Sequence, residues 1–181
     1  MAIKYPFGND EATNTFNVGT ASGTYATAAE YGDNVYHKTV LTLSGALPAI
    51  AGGANLAVGR LLYTFPAGDI RVHTAALKGV TIKQTQGNIT ADTPDLGLGT
   101  VIASGAVATL DGTATFENIL TGQTMNDCNG TAENFGVGST LYIKAADAHT
   151  IYLNVADGWA ASGDAAAAIG GSVILTWEYL G

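Results

Sequence analysis

The sequence predicts an all-β fold, a jelly-roll-like antiparallel sandwich of about eight strands with an extended N-terminal arm. Three observations carry this expectation. Apolar residues recur at period two in several short runs, the signature of half-buried strands. Gly, Asn, Asp and Pro punctuate those runs at short intervals, as turns do. Finally, no amphipathic segment of ten or more residues separates them, which a βαβ architecture would require. No fixed-period self-similarity appears, so a propeller or solenoid is disfavoured.

The clearest run is Thr140–Trp159. Leu141, Ile143 and Ala145 alternate with Tyr142 and Lys144; then Ile151, Leu153 and Val155 alternate with Tyr152, Asn154 and Ala156. Two such runs around Asp147 and His149 read as an antiparallel hairpin with one face in the core.

Taken in order, residues 1–33 lack periodicity and are rich in Gly, Asn, Thr and Ala, with isolated Tyr5, Phe7, Phe16, Tyr25 and Tyr31. So polar a segment rarely builds a core of its own. Its rings read as anchors of a docking arm, and residues 34–181 as the β-sandwich domain. Within that domain, Asn34–Leu43 and Arg60–Phe65 read as strands, the second stopped by Pro66 and Gly68. Ile70–Leu77 and Val80–Gln84 follow around Gly79, and residues 86–99 read as a long loop. Thr100–Ser104 and Ala106–Leu110 read as a pair, Phe116–Leu120 as one helical turn, and residues 121–139 as a second long loop. After the hairpin, Ser172–Leu180 closes the chain as a strong last strand.

At 181 residues, the chain can bury about 70% of its unfolded surface and needs no disulfide or metal to hold a core. Charged residues are 12%, half the ~25% usual in soluble domains. Such a surface suits close neighbours. The net charge of −8 is uneven: residues 1–83 hold six Lys/Arg and five Asp/Glu, whereas residues 84–181 hold one Lys and ten Asp/Glu. Phosphate backbones and anionic membranes are bound by Lys and Arg, so neither nucleic acid nor a membrane surface is an expected partner. The first residues lack the apolar core of a signal peptide, and no apolar run approaches a membrane span. The lone Cys128 has no partner thiol, so nothing argues for an oxidising compartment.

Searches for chemistry find no constellation. His37, His73 and His149 show no His-x-His, His-Glu-x-x-His or Cys-x-x-Cys spacing, the usual sets for first-row metals. Asp147, Asp157 and Asp164 fall in loops, yet none opens a D-x-[DN]-x-[DN]-G calcium loop. Ser104 lacks a nucleophile-elbow pattern, and Gly97-x-Gly99 lacks the third glycine and helix of a nucleotide cradle. No cofactor is implied, and the chain reads as a non-enzyme. Trp177 alternates inside an apolar strand and reads as core. Trp159, after Asp157-Gly158, is the possible exposed aromatic: it packs in a core or interface, or stacks on a sugar ring.

Two stretches carry a family resemblance. Thr93–Leu110 (T-P-D-L-G-L-G-T-V-I-A-S-G-A-V-A-T-L) resembles a segment of small virion proteins of marine and freshwater tailed phages. Tyr152–Trp159 (Y-L-N-V-A-D-G-W), with the strand ending in Trp177, resembles the C-terminal half of the same proteins. The chain is similar to a capsid decoration (cement) protein of that type, over roughly residues 90–181. The resemblance implies a jelly-roll subunit, commonly a homotrimer, on the outer capsid surface of the virion, where it bridges major capsid proteins. It brings no active-site residues. The alternative is a lectin-like or receptor-binding β-sandwich module on a head or tail fibre, for which Trp159 would be the sugar-stacking residue.

Overall fold

A computed structural model describes residues 17–111, 115–138, 140–159 and 162–181. The regular structure among them is all β, in eleven strands. They are β1 (Thr20–Ala21), β2 (Ala26–Gly32), β3 (Tyr36–Leu43), β4 (Ala57–Thr64), β5 (Ile70–Lys83) and β6 (Asp95–Gly99), followed by β7 (Leu120–Thr124), β8 (Glu133–Val137), β9 (Leu141–Ile143), β10 (Thr150–Ala156) and β11 (Ala168–Tyr179). Two antiparallel sheets form, a five-stranded one ordered β1-β4-β10-β6-β7 and a six-stranded one ordered β2-β3-β11-β5-β8, with β9 also on β5. From β3 to β11 the chain passes back and forth between the sheets. The resulting orders, β3-β11-β5-β8/β9 against β4-β10-β6-β7, are those of a jelly roll made of two Greek keys.

The period-two patterns place their apolar members between the sheets. Leu41, Val72, Leu96, Leu98, Ile151, Leu153, Val155 and Leu175 are all fully buried in one core. Its centre is aromatic. The His37 and Trp177 rings stack at 3.9 Å, and Phe65 meets Trp177 edge-on at 5.1 Å. Burial lowers the His37 pKa, so this stack holds a neutral imidazole.

Several expectations are corrected. Residues 17–33 are not an arm: β1 pairs with the end of β4, and β2 pairs with β3 along its whole length. These strands close one edge of the sandwich, and their small side chains suit a narrowing edge. The hairpin is not a hairpin either. Ile143 pairs with Ile70 in the six-stranded sheet, whereas β10 lies between β4 and β6 in the other. A turn closed by Asp147 N–H to Lys144 O (2.8 Å) and Lys144 N–H to Asp147 Oδ2 (2.9 Å) carries the chain from one sheet to the other.

Both long loops contain strands, β6 in one and β7 and β8 in the other. Conversely, residues 100–110, expected to be a strand pair, run as irregular chain, and residues 115–119 form turns rather than a helical turn. The two strands expected around Gly79 are one long strand, β5. Gly79 (φ +55°) and Gly171 (φ +93°) face each other at its bulge; a Cβ on Gly171 would come within 2.6 Å of Val80 Cα.

Candidate interaction surfaces

The two outer faces of the sandwich are finished differently. On the five-stranded sheet several outward positions of β4, β10 and β6 are small: Gly59, Asn154 and Gly97 form one row, and Ala57 pairs with Ala156 in another. Residues 100–111 and 115–118 lie down on this face. Ala57, Ala103, Leu110 and Ala156 make a second buried cluster there, with Phe116 against it. A Cβ on Gly97 would come within 2.9 Å of Leu110 Cδ1, and one on Gly99 would strike the backbone of Thr115 and Phe116. Glycine in β6 is therefore the condition for the cover.

Asn154, fully buried, holds that cover down. Its Oδ1 accepts from Ala103 N–H (2.8 Å), and its Nδ2 donates to Val101 O (2.9 Å) and Phe116 O (2.7 Å). Every side-chain group capable of bonding is used, as a buried amide requires.

Among the described residues, no further segment covers the outer face of the six-stranded sheet. Ala29, Val40, Ile174 and Ala76 are register partners across β2, β3, β11 and β5, and all four are half-buried. Beside this apolar row, Thr74 and Thr176 share a hydroxyl hydrogen bond of 2.6 Å. The next row toward the chain end is Tyr36, Glu178, Arg71 and Tyr142, with Arg71 and His73 both 3.4 Å from Glu178. Tyr142 is 45% exposed and Leu180, just beyond the row, 40%.

The predicted contact residues divide. Tyr5, Phe7 and Phe16 lie outside the described residues. Tyr25 is absorbed into the fold, its ring under the Arg60 guanidinium at 4.3 Å. Tyr31 lies on the open face opposite Lys38, whose Nζ is 5.8 Å from its ring centre. Trp159, expected as the possible exposed aromatic, is only 4% exposed, and its indole N–H donates to Leu56 O at 2.6 Å. Its ring cannot stack on a sugar, which removes the residue on which the lectin-like reading stood. Asp157-Gly158 turns the chain inward at that point.

An edge network was missed by the sequence reading. Glu30 on β2 accepts from Tyr63 Oη (2.5 Å) and Thr39 Oγ1 (2.8 Å). Those hydroxyls in turn accept from Gly19 N–H and Trp177 Nε1–H, each at 2.8 Å. Burial raises the Glu30 pKa against the lowering effect of the two hydroxyls. The carboxylate thus ties β2 of one sheet to β4 of the other. It is a structural group, since both its oxygens and both hydroxyls are already engaged.

The calcium candidates do not converge. Asp147 closes its own turn, Asp157 accepts from Gly158 N–H (2.6 Å), and Asp164 accepts from Thr85, Gln86 and Ala166. Among the described residues, no group of three or more His, Cys, Asp or Glu is placed to hold a metal ion. A cleft of about 320 Å³ is lined by Thr100, Val101, Thr115 and Asn118 on one side and by Tyr142 and Asp147 on the other, among others. Its polar groups already bond within the protein: Asn118 to Thr100, and Tyr142 Oη to Asp69 Oδ2 (2.8 Å). No protein-family model and no curated protein matches the chain.

Proposed function

We propose that this chain is a virion structural protein, a decoration or cement subunit on the outer surface of a tailed-phage head, which stabilises the head by bridging major capsid proteins. One observation supports the reading most directly. Residues 100–111 and 115–118 cover one sheet face, whereas no other described segment covers the opposite face, which has an apolar row at its middle. A jelly roll by itself serves many functions, so the fold is only the frame for this argument. A flat open face suits a molecule that acts by burying area against neighbours rather than by enclosing a small ligand. The first 16 residues, which hold Tyr5, Phe7 and Phe16, join the sandwich at Asn17 beside Asn34, close to the exposed Val35 and Tyr36. They can extend the contact from that end, and a homotrimer is the proposed assembly.

The test is the copy number of the chain in purified particles, together with cosedimentation of recombinant protein with decoration-free expanded heads. Hundreds of copies per particle and saturable binding are expected, with weaker binding when residues 1–16 are removed. The truncation must stop at residue 16, because a cut at 33 would also delete β1 and β2. Absence from particles together with no binding to heads would refute the reading.

A further inference from the structure

We infer that the open face of the six-stranded sheet docks on an acidic protein surface, an inference that rests on the decoration reading and specifies its contact. The charge distribution carries it. In β2, β3, β5 and β11 the charged residues on the open face are Lys38, Arg71, Lys78, Lys83 and Glu178; the remaining carboxylate, Glu30, points inward to Tyr63. Out of 7 Lys/Arg and 15 Asp/Glu in the chain, these four strands therefore put four cations and one carboxylate on the face, with Asp69 bonded to Tyr142 at its end. Three cations and 14 carboxylates are left for everything else, β8 included. A protein of net charge −8 thus gathers cations on a face that no other described segment covers.

The anatomy is that of a protein interface. Ala29, Val40, Ile174 and Ala76 form the apolar middle, and the cations lie toward the two ends of the strands. An apolar centre with a charged rim is the ordinary arrangement of protein–protein contacts, in which rim charge steers approach and sets orientation. Four strands ~4.8 Å apart and about eight residues at ~3.3 Å each give a face of about 500 Å². A standard interface takes ~800 Å² from each partner, so the face supplies most of one.

Other occupants fit less well. Two copies set face to face would oppose cation to cation. A copy stacked by its acidic side would repeat head to tail without closing. Nucleic acid calls for a continuous cationic track, and here the apolar row interrupts it.

The experiment is cosedimentation with decoration-free expanded heads over a series of salt concentrations. The proteins compared are the full chain, Lys38→Glu/Lys78→Glu/Lys83→Glu, Ile174→Asp, and the control Thr121→Glu on β7 of the other sheet. All these side chains are at least partly exposed, and circular dichroism confirms that each variant folds. Binding of the full chain should weaken as salt rises. The triple variant and Ile174→Asp should each lose about tenfold or more in affinity, while Thr121→Glu stays within about twofold. Equal binding of the triple variant and the full chain would overturn the face assignment and leave the decoration role standing. Binding of none, with no copies in particles, would overturn both. Retention of duplex DNA by the full chain but not by the triple variant, at physiological salt, would reassign the face to nucleic acid and overturn the protein partner.

Discussion

Replacing Tyr63 by Phe removes one oxygen from the edge of the sandwich and tests whether Glu30 fastens the two sheets. The ring can stay where it is, edge-on to Phe65 at 5.4 Å, so the change is close to a pure hydrogen-bond deletion. Two bonds go: the one to Glu30 Oε1 (2.5 Å) and the one from Gly19 N–H (2.8 Å). A bond to a charged group contributes ~1.5–3 kcal/mol, and the half-buried Gly19 amide adds about 0.5 because water can reach it. The expected loss is about 2–3 kcal/mol, or about 5–10 °C in Tm for a chain of this size. Both tryptophans are buried, so urea unfolding followed by their fluorescence gives the number. The pH dependence sharpens the test. The Glu30 pKa is already raised by burial, and losing a donor raises it further. A raised carboxyl pKa means that the folded state binds the proton more tightly than the unfolded one. Stability from this group therefore grows as pH falls through the folded value, and the deficit of Tyr63→Phe should narrow on acidification. An unchanged midpoint at pH 7, or a deficit that does not respond to pH, would refute the reasoning.

Three further outcomes follow from the geometry. Asn154→Ala strands Ala103 N–H, Val101 O and Phe116 O under the cover of the five-stranded sheet; a loss of about 3 kcal/mol is expected, with faster hydrogen exchange at the Ala103 amide. Burial works against the charge of Asp164, but the hydrogen bonds from Ala166, Thr85 and Gln86 outweigh it and lower the pKa. Its stabilisation is therefore complete above the ordinary carboxylate range and lost as pH falls through the lower folded value, so denaturation curves should show a deficit for Asp164→Asn at pH 7 that shrinks in strong acid. Burial, aided by the carboxylates of Asp92 and Asp157, pushes the Cys128 thiol up to about 12, so a disulfide reagent at neutral pH should modify it slowly until urea unfolds the protein.

Period-two alternation proved a reliable guide to which side chains face inward and a poor guide to which strands are neighbours. Leu141–Ile143 and Thr150–Ala156 both have the faces their patterns predict, yet they belong to different sheets, because each finds a longer partner than the other could offer. The D-L-G-L-G segment was hidden by its glycines, which lower strand propensity in isolation. They are needed because Leu110, Thr115 and Phe116 pack on them, a contact made outside the segment itself. The V-I-A-S-G segment misled in the opposite sense: its apolar residues serve the cover of the sheet, not a ladder. Of the missed polar groups, Asn154 alone left a trace, as the amide in an otherwise apolar Y-L-N-V-A run. Nothing local marks Glu30 as the partner of Tyr63, 33 residues away. Trp159 looked open to solvent because Asp157-Gly158 precedes it, and a turn can direct the next side chain either way.

The placement of β11 has a consequence for how the molecule comes into being. The last strand made is the middle of its sheet, flanked by β3 on one side and β5 on the other. Until synthesis reaches residue 168, those two strands face an empty slot and expose unpaired edges, the state most prone to stick to other chains. The six-stranded sheet can therefore close only after β11 has been made. A stop codon early in β11 would remove the middle of the sheet rather than trim its edge.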